Sequence, residues 1–282
     1  MSDGRGSAGV RTEPRVGCAV DADGRITFDL SLPSAEAERP QLLLRLRPKK
    51  GRPEQALHVL DLEPADEGRV RAALGGQPVL AEGRWDVYLL GPGDERQRLR
   101  PGLRDLRALV DGHLRDRPSP VAVRIPYVTK DGCLAVRAWL RPAHAEVDGI
   151  DVDVAAGSTT VGARLHGTSL LAGAVVRLRL RGSDGAEHTL EPQAGSDGRS
   201  FSFTLDHAEL AAATERGTGA GSGVWNVFVQ PSAKAPVIRL ARLLDDVADR
   251  KEVFVYPPVT AGGVALCTYY TVDNDLSVEV RR

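Results

Sequence analysis

Arginines spaced two apart are the first residues that could do chemistry. In "VVRLRLRGSDG", Arg177, Arg179 and Arg181 alternate with Val176, Leu178 and Leu180, and in "QLLLRLRPKKG", Arg45 and Arg47 alternate with Leu42, Leu44 and Leu46. On a strand this spacing puts the guanidinium groups on one face, where paired N–H donors can grip a phosphate or carboxylate. Trp139 stands between Arg137 and Arg141, opposite Leu134, Val136 and Leu140, which places it on the polar face of its segment. An aromatic there serves either packing against a second domain or linker, or contact with a ligand or partner. The binding candidates are Trp139, Arg137, Arg141, Arg177, Arg179 and Arg181. Only five basic residues are Lys. That bias fits a GC-rich bacterial genome, so the Arg rows also read as solvated strand faces.

Other groupings carry less. "GTGAGSG" (Gly217 to Gly223) has the composition of a phosphate loop, but it runs into the strand-like "VWNVFV" rather than a helix, so it reads as a hairpin loop. "DADG" at Asp21 and the trio Asp148, Asp151 and Asp153 lack the closing Glu of a calcium loop. Six histidines show no HxH, HxxxH or HExxH spacing, and there is no GxSxG elbow. Asp245, Asp246 and Asp249 read as a solvated helix face. These residues therefore predict no catalytic group, no metal site and no cofactor.

The whole chain bounds the function classes. Its 282 residues are enough for two domains with cores, and 37 Lys+Arg against 38 Asp+Glu give a net charge of -1. No bulk field draws such a chain to nucleic acid. The first residues lack the apolar stretch of a secretory signal and no segment approaches the roughly 18 apolar residues of a membrane span, so the expected compartment is the cytoplasm. Cys18, Cys133 and Cys267 are widely spaced and odd in number, as reduced packing residues would be.

The elements that must position the candidates repeat. "GRWDVYLL" answers "GVWNVFVQ", "RLRPGLRDLRALVD" answers "IRLARLLDDVADRK", and "YVTKDGCLAV" answers "YYTVDNDLSV". Leu44 pairs with Leu178, Trp85 with Trp225 and Tyr127 with Tyr269, an offset of 134 to 142 residues, which is domain size. Each block alternates with period two, and Asp-Gly pairs at Asp23, Asp131, Asp184 and Asp197 mark tight turns. One short helix per copy is expected around Leu103, Leu106 and Val110 and around Leu243, Leu244 and Val247. Many short strands without βαβ alternation predict an all-β chain of two tandem Ig-like antiparallel β-sandwiches. The boundaries expected are a disordered tail over 1–16, one sandwich over 17–142, a linker beginning at "RPAHAEVDG", and a second sandwich over 143–282. The closing "YYTVDNDLSVEV" is expected to turn at Asp273-Asn274 as the first copy turns at Asp131-Gly132.

The stretches "GRWDVYLL" with "RLR" at Arg98 to Arg100, and "YVTKDGCLAVR" from Tyr127 to Arg137, resemble a β-rich accessory domain. That domain accompanies actinobacterial family 2 glycosyltransferases and CDP-glycerol glycerophosphotransferase-like proteins of cell-wall polymer synthesis. Their nucleotide-sugar-binding α/β domain is not read in this sequence, so transferase activity is not expected to carry over. The resemblance implies a non-catalytic scaffold or partner-binding protein beside a glycosyltransferase or a related cell-envelope or secondary-metabolite enzyme. The competing expectations are an enzyme with a site in a groove between the sandwiches, and a glycan or small-molecule module using Trp139.

Overall fold

The computed structural model describes residues 14–32, 40–48, 51, 53, 57–77, 79–115, 119–182, 185–261 and 263–282. Most of the tail expected over 1–16 lies outside the described residues, as does Asp184 of one expected turn, whereas Arg15 and Val16 already belong to a strand. The chain divides into two compact units. Unit 1 takes Met1–Leu109 with Arg124–Ala138, and unit 2 takes Val110–Val123 with Trp139–Arg282. The structure is mostly β, and among the described residues no helix is long and apolar enough to cross a membrane.

The strands of the first half are β1 (Arg15–Val20), β2 (Ile26–Ser31), β3 (Gln41–Leu46), β4 (Leu57–Asp61), β5 (Glu63–Pro64), β6 (Arg69–Leu74), β7 (Gly83–Leu90), β8 (Arg96–Arg98) and β9 (Arg100–Asp105). The short helix α1 (Arg107–Val110), β10 (Val121–Val128) and β11 (Leu134–Arg141) follow. They form two sheets, ordered β5-β6-β2-β1-β9 and β10-β11-β7-β3-β4, with β8 added beside β7. Period two selects the buried faces: Val16, Cys18, Phe28 and Leu30 in one sheet, Leu42, Leu44, Trp85 and Val87 in the other.

The second half is built from β12 (His144–Asp153), β13 (Ser158–His166), β14 (Val175–Leu180), β15 (Glu187–Leu190), β16 (Gln193–Ala194) and β17 (Ser200–Asp206). The helix α2 (His207–Thr218) leads to β18 (Gly223–Gln230), β19 (Ile238–Ala241), β20 (Val259–Ala261), β21 (Val264–Tyr270) and β22 (Leu276–Arg281). The orders β16-β17-β13-β12-β19 and β21-β22-β18-β14-β15 repeat those of the first half, and β20 adds one strand beside β21. Even the parallel pair recurs, β1 with β9 and β12 with β19. In unit 2 the one strand β19 also pairs with β18 and so joins both sheets, whereas in unit 1 that run is broken into β8 and β9 at the buried Leu99. The unit 2 core gathers Val161, Leu165, Val176, Leu178, Phe203, Trp225, Leu240 and Val278 into one apolar cluster.

Three expectations are corrected. The helix expected around Leu103 is strand β9, with Leu103 92% exposed, and only Arg107–Val110 is helical. The matching segment at Leu243 to Val247 is a run of bends, because Glu146 on β12 accepts hydrogen bonds from Leu243 N at 2.8 Å and Leu244 N at 3.0 Å and ties the backbone to the sheet. The long helix is α2, and Gly217 of "GTGAGSG" falls in its last turn. Asp206 caps it by accepting from Glu209 N at 2.9 Å, and left-handed Gly219 ends it. The third correction concerns "RPAHAEVDG". Strand β12 already starts at His144, leaving only Pro142 and Ala143 as a bend.

Candidate functional site

On β18 Trp225, Val227 and Val229 point into the core, so Asn226 and Phe228 take the other face. Register sets their neighbours. Arg179 and Ser277 stand across from Asn226, Arg239 across from Phe228, and Tyr269 across from Ser277. The β21–β22 turn closes over this face. Its Asn274 holds a left-handed φ of 61°, as Gly132 does at 74° in unit 1. Asn274 is buried and braced: its Nδ2 donates to Val247 O at 2.9 Å and its Oδ1 accepts from Arg250 N at 3.0 Å.

The result is a cavity of about 570 Å³ in unit 2, lined by Arg141, Arg181, Arg239, Lys251, Asn226, Phe228, Tyr269, Thr271, Val272, Asp273 and Asp275. Its size falls among small-molecule sites, about 300–1,000 Å³. Four cationic side chains face two carboxylates. Arg239 is the anchor, with its guanidinium 4.9 Å from the centre of the Phe228 ring. One terminal nitrogen of Arg239 is shared among Asn226 Oδ1 at 2.9 Å, Ser277 Oγ at 2.8 Å and Leu276 O at 3.0 Å. Burial pulls its pKa down to about 10, against the pull of Asp275, so it is a cation at neutral pH. Arg181 donates to the same Asn226 Oδ1 at 3.0 Å. Asp275 lies 3.8 Å from Arg239 Nε and 3.7 Å from Arg141, ion pairs longer than a hydrogen bond. Such an arrangement can hold an oxyanion and can offer Tyr269, Thr271 and Asp273 to hydroxyls.

The candidates named from sequence divide. Arg141 and Arg181 line the cavity. Arg177 and Arg179 bind Glu187 at 2.8 and 2.7 Å, and Arg177 also donates to Gln230. Trp139 is not a surface aromatic. It is 1% exposed, and its Nε1 donates to Asp273 O at 3.2 Å, beneath the turn that borders the cavity. Arg137 is buried too, opposite Arg84 on β7. The reason is common to both: every residue of β11 from Leu134 to Trp139 is buried, so alternation does not sort its faces into wet and dry. Arg239 is not among the candidates read from the sequence, although Ile238 and Leu240 flank it with period two.

Unit 1 carries the same positions with a different centre. Asp86 replaces Asn226, and Arg47 replaces Arg181 and grips Asp86 through Nε at 2.9 Å and a terminal nitrogen at 2.8 Å. Arg98, matching Arg239, lies 3.4 Å from Asp86, and Arg45 lies 4.0 Å away. The hydrogen bond to Asp86 raises the pKa of Arg47. Arg45 and Arg98 both cover the Tyr88 ring, each 5.4 Å from its centre, where Arg179 and Arg239 cover Phe228. Burial raises the pKa of the Tyr127 hydroxyl, the counterpart of Tyr269. A separate buried set in unit 2 joins His144 Nε2 to Glu146 at 2.7 Å with His166 stacked 6.0 Å away. Among the described residues no three His, Cys, Asp or Glu are grouped to hold a metal ion.

No protein-family model matches the chain, and no curated protein matches it. Among solved structures, S. aureus TarS aligns at 15% identity with a TM-score of 0.29. The alignment covers 68% of this chain and 35% of that one, so the chain spans about a third of the length of the protein it matches.

Proposed function

We propose that this chain is a non-catalytic accessory protein of tandem Ig-like sandwiches whose second unit binds an oxyanion, the anionic group of a ligand or partner. Strand order supports the Ig-like reading. The run β5-β6-β2-β1 follows the D-E-B-A sheet of such a sandwich and β11-β7-β3-β4 follows G-F-C-C′, and both recur in unit 2. The biosynthetic setting, beside a glycosyltransferase or a related enzyme, is the one implied by the resemblance of "GRWDVYLL" and "YVTKDGCLAVR" to accessory domains of such enzymes.

The observation that carries the binding reading is the cavity with Arg141, Arg181, Arg239 and Lys251 set against two aspartates. Guanidinium groups stay protonated and present fixed N–H pairs, so they hold charge rather than shuttle protons. The burial of Trp139 withdraws the flat surface that sugar stacking would need. Titration with inorganic phosphate, followed by the arginine Nε–Hε signals in ¹H–¹⁵N spectra, is expected to shift Arg239 and Arg181. Replacing Arg239 with Gln is expected to weaken binding about tenfold or more, the worth of one charge-assisted hydrogen bond. Shifts that spread over the surface arginines and leave Arg239 unmoved would reject the reading.

A further inference from the structure

The two units present one arginine frame in two electrostatic states. In unit 1, three arginines converge on Asp86, whose side chain is 3% exposed and which supplies a full negative charge from within the fold. In unit 2 the matched position is Asn226, whose Oδ1 accepts from Arg181, Arg239 and Ser277 and brings no charge. Strand register makes this a strict correspondence. Asp86 faces Arg45 across β3 and Ala135 across β11, and Asn226 faces Arg179 across β14 and Ser277 across β22. Buried or half-buried guanidinium groups need a counter-charge close by. Unit 1 has it built in. In unit 2 Asp275 lies between Arg141 and Arg239, 3.7 Å from one and 3.8 Å from the other.

From this we infer that residue 226 decides whether the frame takes an external anion: Asn226 leaves the unit 2 site open to a carboxylate or phosphate, and Asp86 makes unit 1 the same site closed by its own side chain. This rests on the reading of the unit 2 cavity as an oxyanion site and adds the residue that governs it. The frame tolerates either side chain, because unit 1 already holds an Asp there with a bidentate arginine at hydrogen-bond distance. The carboxylate of an Asn226→Asp variant would meet Arg181 and Arg239 where the amide oxygen now does.

The test is titration of the full chain with inorganic phosphate by calorimetry and by arginine Nε–Hε NMR. Wild type is expected to take one equivalent. Asn226→Asp is expected to bind about tenfold or more weakly, with circular dichroism unchanged. Asp86→Asn is expected to take a second equivalent that shifts Arg47 and Arg98. If wild type binds and Asn226→Asp binds equally well, the inference is overturned while the cavity keeps its function. Failure of wild type to bind removes both. Should Asp86→Asn fold poorly, Asn226→Asp alone decides, since its partner residues are those of a fold that already carries the aspartate in the other copy.

Discussion

Unit 1 and unit 2 share strand order, a buried tryptophan on the matching strand and a covered aromatic on its other face, yet they settle their buried polar groups differently. Around Asp86, attraction is internal: three cations and one desolvated carboxylate hold β3, β7 and β8 together. Around Asn226 the same strands meet through neutral acceptors, and the cationic surplus faces a cavity. One copy has turned its charge into cohesion and the other keeps it available. The two copies place Asp in one and Asn in the other at the same sheet centre, and the surrounding arginines take different partners, Asp86 in unit 1 and Asn226 and Glu187 in unit 2.

Truncation at the two centres should break this comparison most visibly. Asp86→Ala leaves three arginines without their counter-charge. A fully buried pair would lose about 3–5 kcal/mol, and because these guanidiniums keep roughly a third of their surface in water the expected loss is about 2–3 kcal/mol. Asn226→Ala removes one neutral acceptor and is expected to cost about 1 kcal/mol. Urea unfolding monitored by circular dichroism reads the difference. Equal losses would show that Asp86 is no more cohesive than its neutral counterpart.

The tryptophans sharpen the contrast at a second point. Trp85 Nε1 donates to the backbone carbonyl of Ala81 at 3.0 Å, while Trp225 Nε1 donates to the hydroxyl of Thr214 on α2 at 2.8 Å, and that hydroxyl donates in turn to Leu210 O. Unit 2 has thus made its core indole depend on a helix side chain. Thr214→Val keeps the volume but orphans a buried N–H, an expected cost of about 1–3 kcal/mol, visible as a lowered urea midpoint. Trp225→Phe in the same background should recover part of that loss, because it removes the orphaned donor.

Much of this was readable in advance, for physical reasons that also explain the failures. Period two found the strands because most are wet on one face, and the match of Asp131-Gly132 with Asp273-Asn274 found a turn that needs positive φ. The signal for α2 is short: Asp206 and Glu209 stand three apart, the spacing of a capping box, directly after the strand pattern of "SFSFTL" and before a small-residue run with little amphipathic contrast. Trp139 alternates with Arg137 and Arg141 and so reads as a polar-face residue, yet it packs as one of its two expected roles has it, since β11 is covered on both faces. The cavity itself was half legible: Arg141 and Arg181 were named, whereas Arg239 and Asp275 reach it from segments 36 residues apart that only the register of β18, β19 and β22 brings together.

Acid should separate the units next. His166 is buried against His144, with Glu146, Arg164 and Arg199 around it. Burial lowers its pKa most, the neighbouring cations add to this, and Glu146 opposes. Burial lowers His207 in the same direction. The folded state therefore holds these rings neutral while the unfolded chain takes up protons near pH 6.5, so their contribution is present above that pH and is lost as pH falls below it. In unit 1 Arg15, opposite Arg100, stands where Glu146 stands opposite Ala241, and Ser31, opposite Arg69, stands where Arg164 stands opposite Ser200, so the described part of that sheet carries no matching histidine pair. Between pH 7.5 and 5.5 stability is expected to fall, the loss falling mainly on unit 2. His166→Gln should shrink it, and an unchanged pH slope in that variant would remove His166 from the account.

The smallest effect expected lies in the arginine row of β14. Arg177 and Arg179 both reach Glu187, and although partial burial pushes that carboxyl up, their hydrogen bonds outweigh it and its pKa is lowered. All three side chains keep between 28% and 44% of their surface exposed, so water and salt screen the attraction. Arg177→Ala and Arg179→Ala should each cost less than about 1 kcal/mol, and the cost should fade in 0.5 M salt, about the ionic strength at which exposed pairs are largely screened. Because Glu187 is lowered, the contribution is present above the usual Glu range and disappears as pH drops toward the folded pKa. A loss as large as that of Asp86→Ala, or one indifferent to salt, would mean that unit 2 also uses its arginines for cohesion, and the distinction between the two copies would have to be drawn at Asn226 alone.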